Sequence, residues 1–336
     1  MTLVGNYAGP PCKTVTPLQG LQNYIKNTKY HRGCNTVACS KATIREAVQI
    51  AREVDQVVLV MELDQTQEAE RIDLLNLRLP GNQQKLIISV ARAANKPVVL
   101  VLICGGLVDV SFAITEPKIG SILWAGYPGE AGGTALAEII FGDHNPGGKL
   151  PVTWYPQQYT KIPMTDVRMR PQIASGYPGR SYRFYEGKKV FEFGYGLSYS
   201  NCSYEIASIP QDKIFLRSPS SIKGVKTSSY TLVSELGKEL CERSKFSVTV
   251  KVKNEGKIIG KHPVLVFLRQ PKPGSGRPVK KLVAFQTVRL NAGQNAEIQR
   301  KLSPCEPLTR ANEDGSMVID GGLVVGEKPY QITIIV

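Results

Sequence analysis

The sequence predicts a mainly parallel, doubly wound α/β sandwich followed by an immunoglobulin-like β-sandwich. Three observations predict it. Short, wholly apolar runs alternate with amphipathic helical stripes up to about residue 154. A Pro-, Gly- and aromatic-rich stretch follows over residues 155–199, and from Lys245 the hydrophobic period becomes two. A chain of 336 residues has room for two such domains.

The first helix is expected from Ile44, because Thr43-Ile44-Arg45-Glu46 has the form of a capping box and Ile44, Ala47, Val48, Ala51 and Val54 fall on one face. Residues 57–61 read as a short buried strand. Pro80 suits the first turn of a second helix, whose inner side carries Leu86, Ile87, Val90, Ala91 and Ala94. Pro97 stops that helix, and residues 98–103 and 119–124 give two more strands. A small-residue helix is expected over 130–141, and a fourth strand over 150–154. Apolar strands separated by amphipathic helices indicate a sheet covered on both faces, with ligands expected at the carboxyl ends of its strands.

Residues 155–199 read as an ordered strap and 205–240 as a variable linker rich in Ser, Lys and Pro. Beyond Lys245, Phe246, Val248, Val250 and Val252 alternate with polar residues, and Asn254-Glu255-Gly256 makes a turn. Residues 264–268, 282–290 and 330–336 supply further strands. The expected division is an α/β sandwich over 1–160, a connector and linker over 161–240, and a β-sandwich over 241–336.

The net charge of +14 is dispersed and comes with no nucleic-acid recognition motif, so no nucleic-acid partner is expected. No run approaches the ~20 apolar residues of a membrane span. Seven cysteines without a CxxC pair, and three scattered histidines, give no metal site. Cys12, Cys34 and Cys39 lie in a polar opening segment, where Cys34 can pair with Cys39 or Cys12 in an oxidising compartment. Asn201-Cys202-Ser203 is a glycosylation sequon, and the first residues do not read as a signal peptide. Gly126-Tyr127-Pro128-Gly129-Glu130-Ala131-Gly132-Gly133 lacks the spacing of a phosphate loop and reads as a tight strand-to-helix turn with close backbone packing. No cofactor is expected, and no G-x-S-x-G elbow supports a serine nucleophile.

The chemical-looking segment is the acidic run Glu62, Asp64, Glu68, Glu70 and Asp73 at the carboxyl end of the first strand. Taken by itself it reads as a solvated loop with helix-capping roles. Glycosidases, however, need two carboxyl groups about the scissile bond, one of them serving the leaving group as an acid.

Longer motifs give this run a context. Gly132-Gly133-Thr134-Ala135, then Phe141-Gly142-Asp143-His144-Asn145-Pro146-Gly147-Gly148-Lys149-Leu150-Pro151-Val152-Thr153, resemble the signature of glycoside hydrolase family three C-terminal domains. Phe193-Gly194-Tyr195-Gly196-Leu197-Ser198-Tyr199 resembles the family's connector. Val252-Lys253-Asn254-Glu255-Gly256, with Gly260 and Leu282-Val283-Ala284-Phe285, is similar to its fibronectin type III-like domain. Asp64-Gln65-Thr66-Gln67-Glu68, Leu79-Pro80-Gly81 and residues 122–130 resemble the plant β-D-xylosidase/α-L-arabinofuranosidase branch.

The resemblance implies a retaining, secreted exo-glycosidase of the cell wall, acting in xylan and arabinan breakdown. It implies a (β/α)8 barrel that carries the nucleophilic Asp, and an acid/base Glu on a loop of the α/β sandwich. Glu70 is the candidate acid/base and Glu68 the second; the nucleophile is expected to be absent from these residues. Arg71 stands where the family pattern has Gly, Leu74 where it has Arg, and Glu62 where Gly is common. The chain alone is therefore expected to be inactive and to associate through its barrel-facing surface. Xylo- or arabino-oligosaccharides would be its partners once a barrel is supplied. The other reading is a non-catalytic carbohydrate- or protein-binding module.

Overall fold

The computed structural model describes residues 2–209, 213–216, 230–269, 277–320, 323–325 and 332–335. The chain divides into two units. One comprises Met1–His144, Thr153–Asp166 and Lys188–Glu192, and the other Asn145–Val152, Val167–Gly187 and Phe193–Val336.

The first unit is built on a parallel sheet, in the order β1 (Val58–Glu62), β2 (Val98–Ile103) and β3 (Ile119–Trp124). Its helices are α1 (Pro17–Tyr24), α2 (Ile44–Arg52), α3 (Gln83–Ala93), the single turn α4 (Ser111–Ile114) and α5 (Gly132–Phe141). Val101 and Ile103 pack with Leu3 and Leu136 on one face of the sheet, while Leu100 and Leu102, of opposite parity, are fully buried on the other. That double cover accounts for the uninterrupted apolar runs.

The opening segment holds more structure than its polarity suggests. The Thr16 hydroxyl accepts a hydrogen bond from the Gln19 backbone N–H at 3.2 Å, and the Gln19 side-chain oxygen accepts from the Thr16 N–H at 2.8 Å, so α1 begins on a true capping box with Pro17 in its first turn. The box expected at Thr43 does not form. The Thr43 hydroxyl donates instead to the Gly33 carbonyl at 3.2 Å, and α2 starts without a side-chain cap. The next helix begins at Gln83, after Pro80. The structure joins Cys34 to Cys39, with Cα atoms 4.9 Å apart, and leaves Cys12 exposed with a free thiol.

The strand expected over 150–154 is absent from this sheet. Trp154 makes only an isolated bridge with Phe191, and Leu150, in the second unit, bonds to Gly194 and Tyr195. Pro151 has no N–H to offer a central ladder, which explains the break. Trp154 is still 1% exposed, edge-on to Trp124 and Phe191.

In the second unit, β7 (Phe246–Asn254) lies between β4 (Cys202–Ser208) and β10 (Asn295–Leu302), all antiparallel. β8 (Gly260–Arg269) pairs with β9 (Lys280–Leu290). Short strands complete the unit: β5 (Lys213–Phe215), β6 (Tyr230–Leu232), β11 (Arg310–Ala311), β12 (Met317–Asp320), β13 (Leu323–Val325) and β14 (Ile332–Ile335). Of the strand expected at 330–336, Tyr330, Gln331 and Val336 lie outside the described residues. Phe246, Val248, Val250 and Val252 face one core with Val264, Leu268, Ile298 and Leu302, as the period of two requires.

The stretch expected as a linker enters that core as well. Ile214, Leu216 and Leu236 are buried in it, and α6 (Ser181–Phe184) and α7 (Val233–Arg243) flank the sandwich strands, α7 being tied by the Cys241–Cys305 disulfide. Residues 217–229 lie outside the described set. Asn254 is fully buried; its amide donates to the carbonyls of Ile258 and Leu290 and accepts from the Gly256 N–H.

Asn145 plays a similar part. Its amide nitrogen donates to the Ser200 hydroxyl and the Ile259 carbonyl, and its carbonyl accepts from the Ser198 hydroxyl and the Tyr199 N–H. A Cβ on Gly147 would lie 2.2 Å from the Lys261 carbonyl oxygen. The Asn145–Lys149 motif thus fastens loops.

Helices α1 and α5 cross at two glycines. A Cβ on Gly133 would stand 2.0 Å from the Thr16 carbonyl oxygen, and one on Gly20 equally close to that of Gly133. Neither obstacle is a movable side chain. Gly133→Ala should therefore destabilise the chain by about 3 kcal/mol or more, read as a drop in the urea midpoint with unchanged slope. Ala135→Gly, in the same helix, should cost no more than about 1 kcal/mol.

Candidate functional site

The acidic run leaves the sheet at its carboxyl edge. Leu63, 1% exposed, continues the β1 ladder by donating to the Ile103 carbonyl at 2.9 Å. The chain then makes one tight turn. Asp64 accepts from the Thr66 N–H and hydroxyl, its carbonyl accepts from the Gln67 and Glu68 N–H groups, and Gln67 returns a carbonyl to the Asp64 N–H. Such reciprocal Asx bonding explains why Asp and Gln open this loop.

That turn aims Glu68 inward. Its carboxylate accepts from the Gly105 N–H at 2.5 Å, the Gly106 N–H at 3.3 Å and the Tyr127 hydroxyl at 2.5 Å. Gly105 and Gly106 follow β2, and Tyr127 follows β3, so one side chain gathers the ends of all three strands. The approach needs glycine at 105, because a Cβ there would lie 2.9 Å from the Tyr127 ring and 3.3 Å from the carboxylate.

The clamp marks its neighbours. Burial first, then the bond to Glu68, pushes the Tyr127 hydroxyl well above its ordinary range. Burial and the same carboxylate push the Cys104 thiol up to about 12, and the Cys104 carbonyl accepts from the Trp124 indole N–H at 2.9 Å. Burial also raises the half-buried Glu62 carboxyl, against a hydrogen bond from Thr2.

Beyond Glu68 the chain turns back in a narrow hairpin. Ala69 and Ile72 exchange backbone hydrogen bonds of 3.2 and 3.0 Å, which puts Glu70 and Arg71 at the tip. Arg71 has φ +67°, the conformation that position i+2 of a type II turn favours in glycine. Glu70 is exposed, and among the described residues no side-chain hydrogen bond or ion pair holds it. The two candidates thus differ sharply: Glu68 is locked by three donors, and Glu70 is presented outward. Asp73 is exposed just after the hairpin. Asn201 is exposed at the start of β4, in the other unit. The sequence reading did not find Gly105, Gly106 and Tyr127 as partners of the acidic run; the Gly pair after an apolar strand was the available signal.

Comparison with known proteins shows the family to which the chain belongs. Residues 1–199 match the glycosyl hydrolase family 3 C-terminal domain, and residues 262–326 match a fibronectin type III-like domain. The chain is 56% identical over 338 aligned residues to an Arabidopsis thaliana protein named "Probable beta-D-xylosidase 7", covering 99% of this chain and 44% of that protein. It is 41% identical to "Beta-xylosidase/alpha-L-arabinofuranosidase 2" of Medicago sativa subsp. varia, covering 99% of this chain and 43% of that one. Among solved structures, a GH3 exo-beta-xylosidase in complex with a xylobiose aziridine probe superposes with a TM-score of 0.83 at 28% identity, covering 99% of this chain and 42% of its own. The chain spans less than half the length of these relatives.

The clamp makes stability depend on pH on the alkaline side. The unfolded thiol ionises near 9, whereas folded Cys104 holds its proton to about 12, so the folded state binds more protons in that window. Stability should fall as pH rises from about 9 towards 12, with Tyr127 adding in the same direction above its ordinary value of 10. Glu68→Ala should make this fall shallower, since it removes one cause of both shifts. It should also cost about 2 kcal/mol at pH 7, because two backbone N–H groups lose an ionised acceptor. Urea unfolding across pH checks both.

Proposed function

Because the chain belongs to glycosyl hydrolase family 3, we propose that it is the acid/base-bearing C-terminal part of a retaining exo-glycosidase of the β-D-xylosidase/α-L-arabinofuranosidase type. The observation that carries the reading is the division of labour between the two glutamates. Glu68 holds the loop to the sheet, and Glu70 is offered at the tip with no side-chain partner among the described residues.

Retaining hydrolysis uses two carboxyl groups about 5–5.5 Å apart, one as nucleophile and one as acid then base. Glu70 takes the second role. It protonates the departing glycosidic oxygen, then removes a proton from the water that releases the covalent glycosyl-enzyme. The nucleophile comes from a barrel facing the hairpin, as the family resemblance implies. Within the loop Glu68 is no substitute, since both its oxygens already accept bonds, from Gly105 and Tyr127 on one and Gly106 on the other. A general acid also works best when partly desolvated. The exposed Glu70 receives that shielding from the opposing surface and the sugar.

Sugar preference follows the relatives' names, β-D-xylosyl and α-L-arabinofuranosyl residues. Action in the cell wall on xylan- and arabinan-derived oligosaccharides is part of the same proposal. Two disulfides and an exposed sequon at Asn201 support passage through an oxidising, secretory compartment.

Residues 1–336 alone should show no turnover of 4-nitrophenyl β-D-xyloside. Joined behind the barrel of the Arabidopsis relative, they should restore it, and Glu70→Gln in that chimera should lower kcat by roughly 10²–10⁴. Glu68→Gln should act mainly through stability, leaving kcat of the folded fraction within about tenfold of the parent. If Glu68→Gln removes turnover and Glu70→Gln does not, the roles are reversed.

A further inference from the structure

Four cationic side chains of the second unit, Arg183, Arg277, Lys281 and Arg310, come together where α6 meets the start of β9 and the segment leading into β11. The Val279 N–H donates to the Arg183 carbonyl at 2.7 Å, which sets Arg277 and Lys281 two residues to either side of that bond. The Lys281 ammonium donates to the Glu306 carbonyl at 3.0 Å. That carbonyl also accepts from the hydroxyl of Thr309, the residue before Arg310. Two ties thus hold the four in one neighbourhood.

The two halves of the cluster are paired differently. Arg310 donates to both oxygens of the buried Asp320 carboxylate, at 2.8 and 2.7 Å, and Arg277 reaches the same carboxylate at 2.5 Å. Guanidinium groups bind carboxylates most firmly in this forked geometry. Arg183 and Lys281 lack such a partner. Among the described residues no hydrogen bond or ion pair holds the Arg183 guanidinium. Its Nε is buried and unbonded, and the group lies 5.3 Å from the centre of the Phe184 ring. Burial first, then the Arg183 charge, lowers the pKa of the Lys281 ammonium. The exposed Glu306 carboxylate opposes that shift, with no ion pair to Lys281 among the described residues. Two half-buried like charges with donors to spare make a place for an anion.

We propose that Arg183 and Lys281 bind a carboxylate of an acidic polysaccharide, a uronic acid unit, as Arg277 and Arg310 bind Asp320 within the chain. The carboxylate chemistry comes from these side chains; the polysaccharide as its carrier rests on the glycosidase reading above. A polyanion suits the cluster better than a lone ion. Two guanidinium groups on the one Asp320 carboxylate leave a positive charge beside the pair, so a second anionic unit is attracted as well, and the net charge of +14 adds to the pull. Nucleic acid finds no stacking platform here, because Phe184 is buried and Tyr182 is stacked on Phe193 at 4.1 Å.

The test is calorimetric titration of the 336-residue chain with an oligogalacturonate at low ionic strength, on variants whose urea midpoints show that they fold. Arg183→Gln and Lys281→Met should each weaken binding about tenfold, and the charge-preserving Lys281→Arg should stay within about threefold of the parent. Arg289→Gln removes the same charge from the exposed far end of β9 and should change binding by less than about twofold. A neutral xylo-oligosaccharide should not distinguish the variants. Absence of oligogalacturonate binding overturns the proposal. So does equal weakening by all three charge removals, which would mean diffuse attraction by the net charge. Tighter binding of inorganic phosphate, or of a DNA oligonucleotide of equal charge, overturns it too. Turnover is not the readout, so failure here leaves the role of Glu70 standing. An inactive barrel chimera that still binds through Arg183 and Lys281 would sink the glycosidase reading and leave the anion site.

Discussion

One carboxylate organises the carboxyl edge of the first unit. Glu68 reaches from the loop after β1 to the backbone after β2 and the tyrosine after β3. Parallel strands give their connecting loops no mutual hydrogen bonds, so loops at the strand ends need such a tie to share one geometry. An ionised acceptor serves well, because charge-assisted bonds to N–H groups are roughly twice as strong as neutral ones. The tie in turn fixes residue types around it: no Cβ at 105, an aromatic hydroxyl at 127, and a tight Asx turn from Asp64. The hairpin that shows Glu70 starts immediately after the clamped residue, so its placement inherits the rigidity of the sheet.

The strands and helices with strong patterns were legible because one physical rule governed each. The run 98–103 forms a strand as expected, since a doubly covered strand has no other way to bury six consecutive apolar residues, and 119–124 forms the partly exposed strand beside it. The alternation at Phe246–Asn254 was equally plain. Failures occurred where two rules competed. Thr43 fits a cap by spacing, but its hydroxyl finds the Gly33 carbonyl, brought close by the turn in which Cys34 and Cys39 are joined. Residues 205–240 look like linker because isolated Ile and Leu residues are spread thinly; three of them, Ile214, Leu216 and Leu236, nonetheless complete a core supplied by distant strands. β10 is polar at all four positions that face outward, Asn295, Glu297, Gln299 and Lys301, and its inward Ile298 and Leu302 were too few to stand out.

The candidate site was legible only in outline. The acidic run at a strand end, read with the family resemblance, marked Glu70 and Glu68 together. Which of the two is held and which is offered depends on partners 37 and 59 residues further along the chain. No local pattern carries that information. Arg71 illustrates the same limit: its sequence position suggested a lost glycine, and only the backbone, at φ +67°, shows that the turn kept its shape without one. A non-Gly residue there costs roughly 1 kcal/mol, which the Ala69–Ile72 bonds and the Glu68 clamp beside them can hold in place.

The same reasoning separates signature from mechanism. The Asn145–Lys149 motif carries the strongest resemblance in the chain, yet all four hydrogen-bonding valences of the Asn145 side chain are spent on Ser198, Tyr199, Ser200 and Ile259. A saturated amide has nothing left for a substrate. Gly147 and Gly196 stand against carbonyl oxygens 2.2 Å from where a Cβ would be, so their identity is set by packing. Glu70 is the converse, weakly marked in sequence and without a side-chain partner among the described residues. The acid/base role proposed for Glu70 suits an outward carboxyl mounted beside the clamp, because any internal bond strong enough to fix it would also compete for its proton.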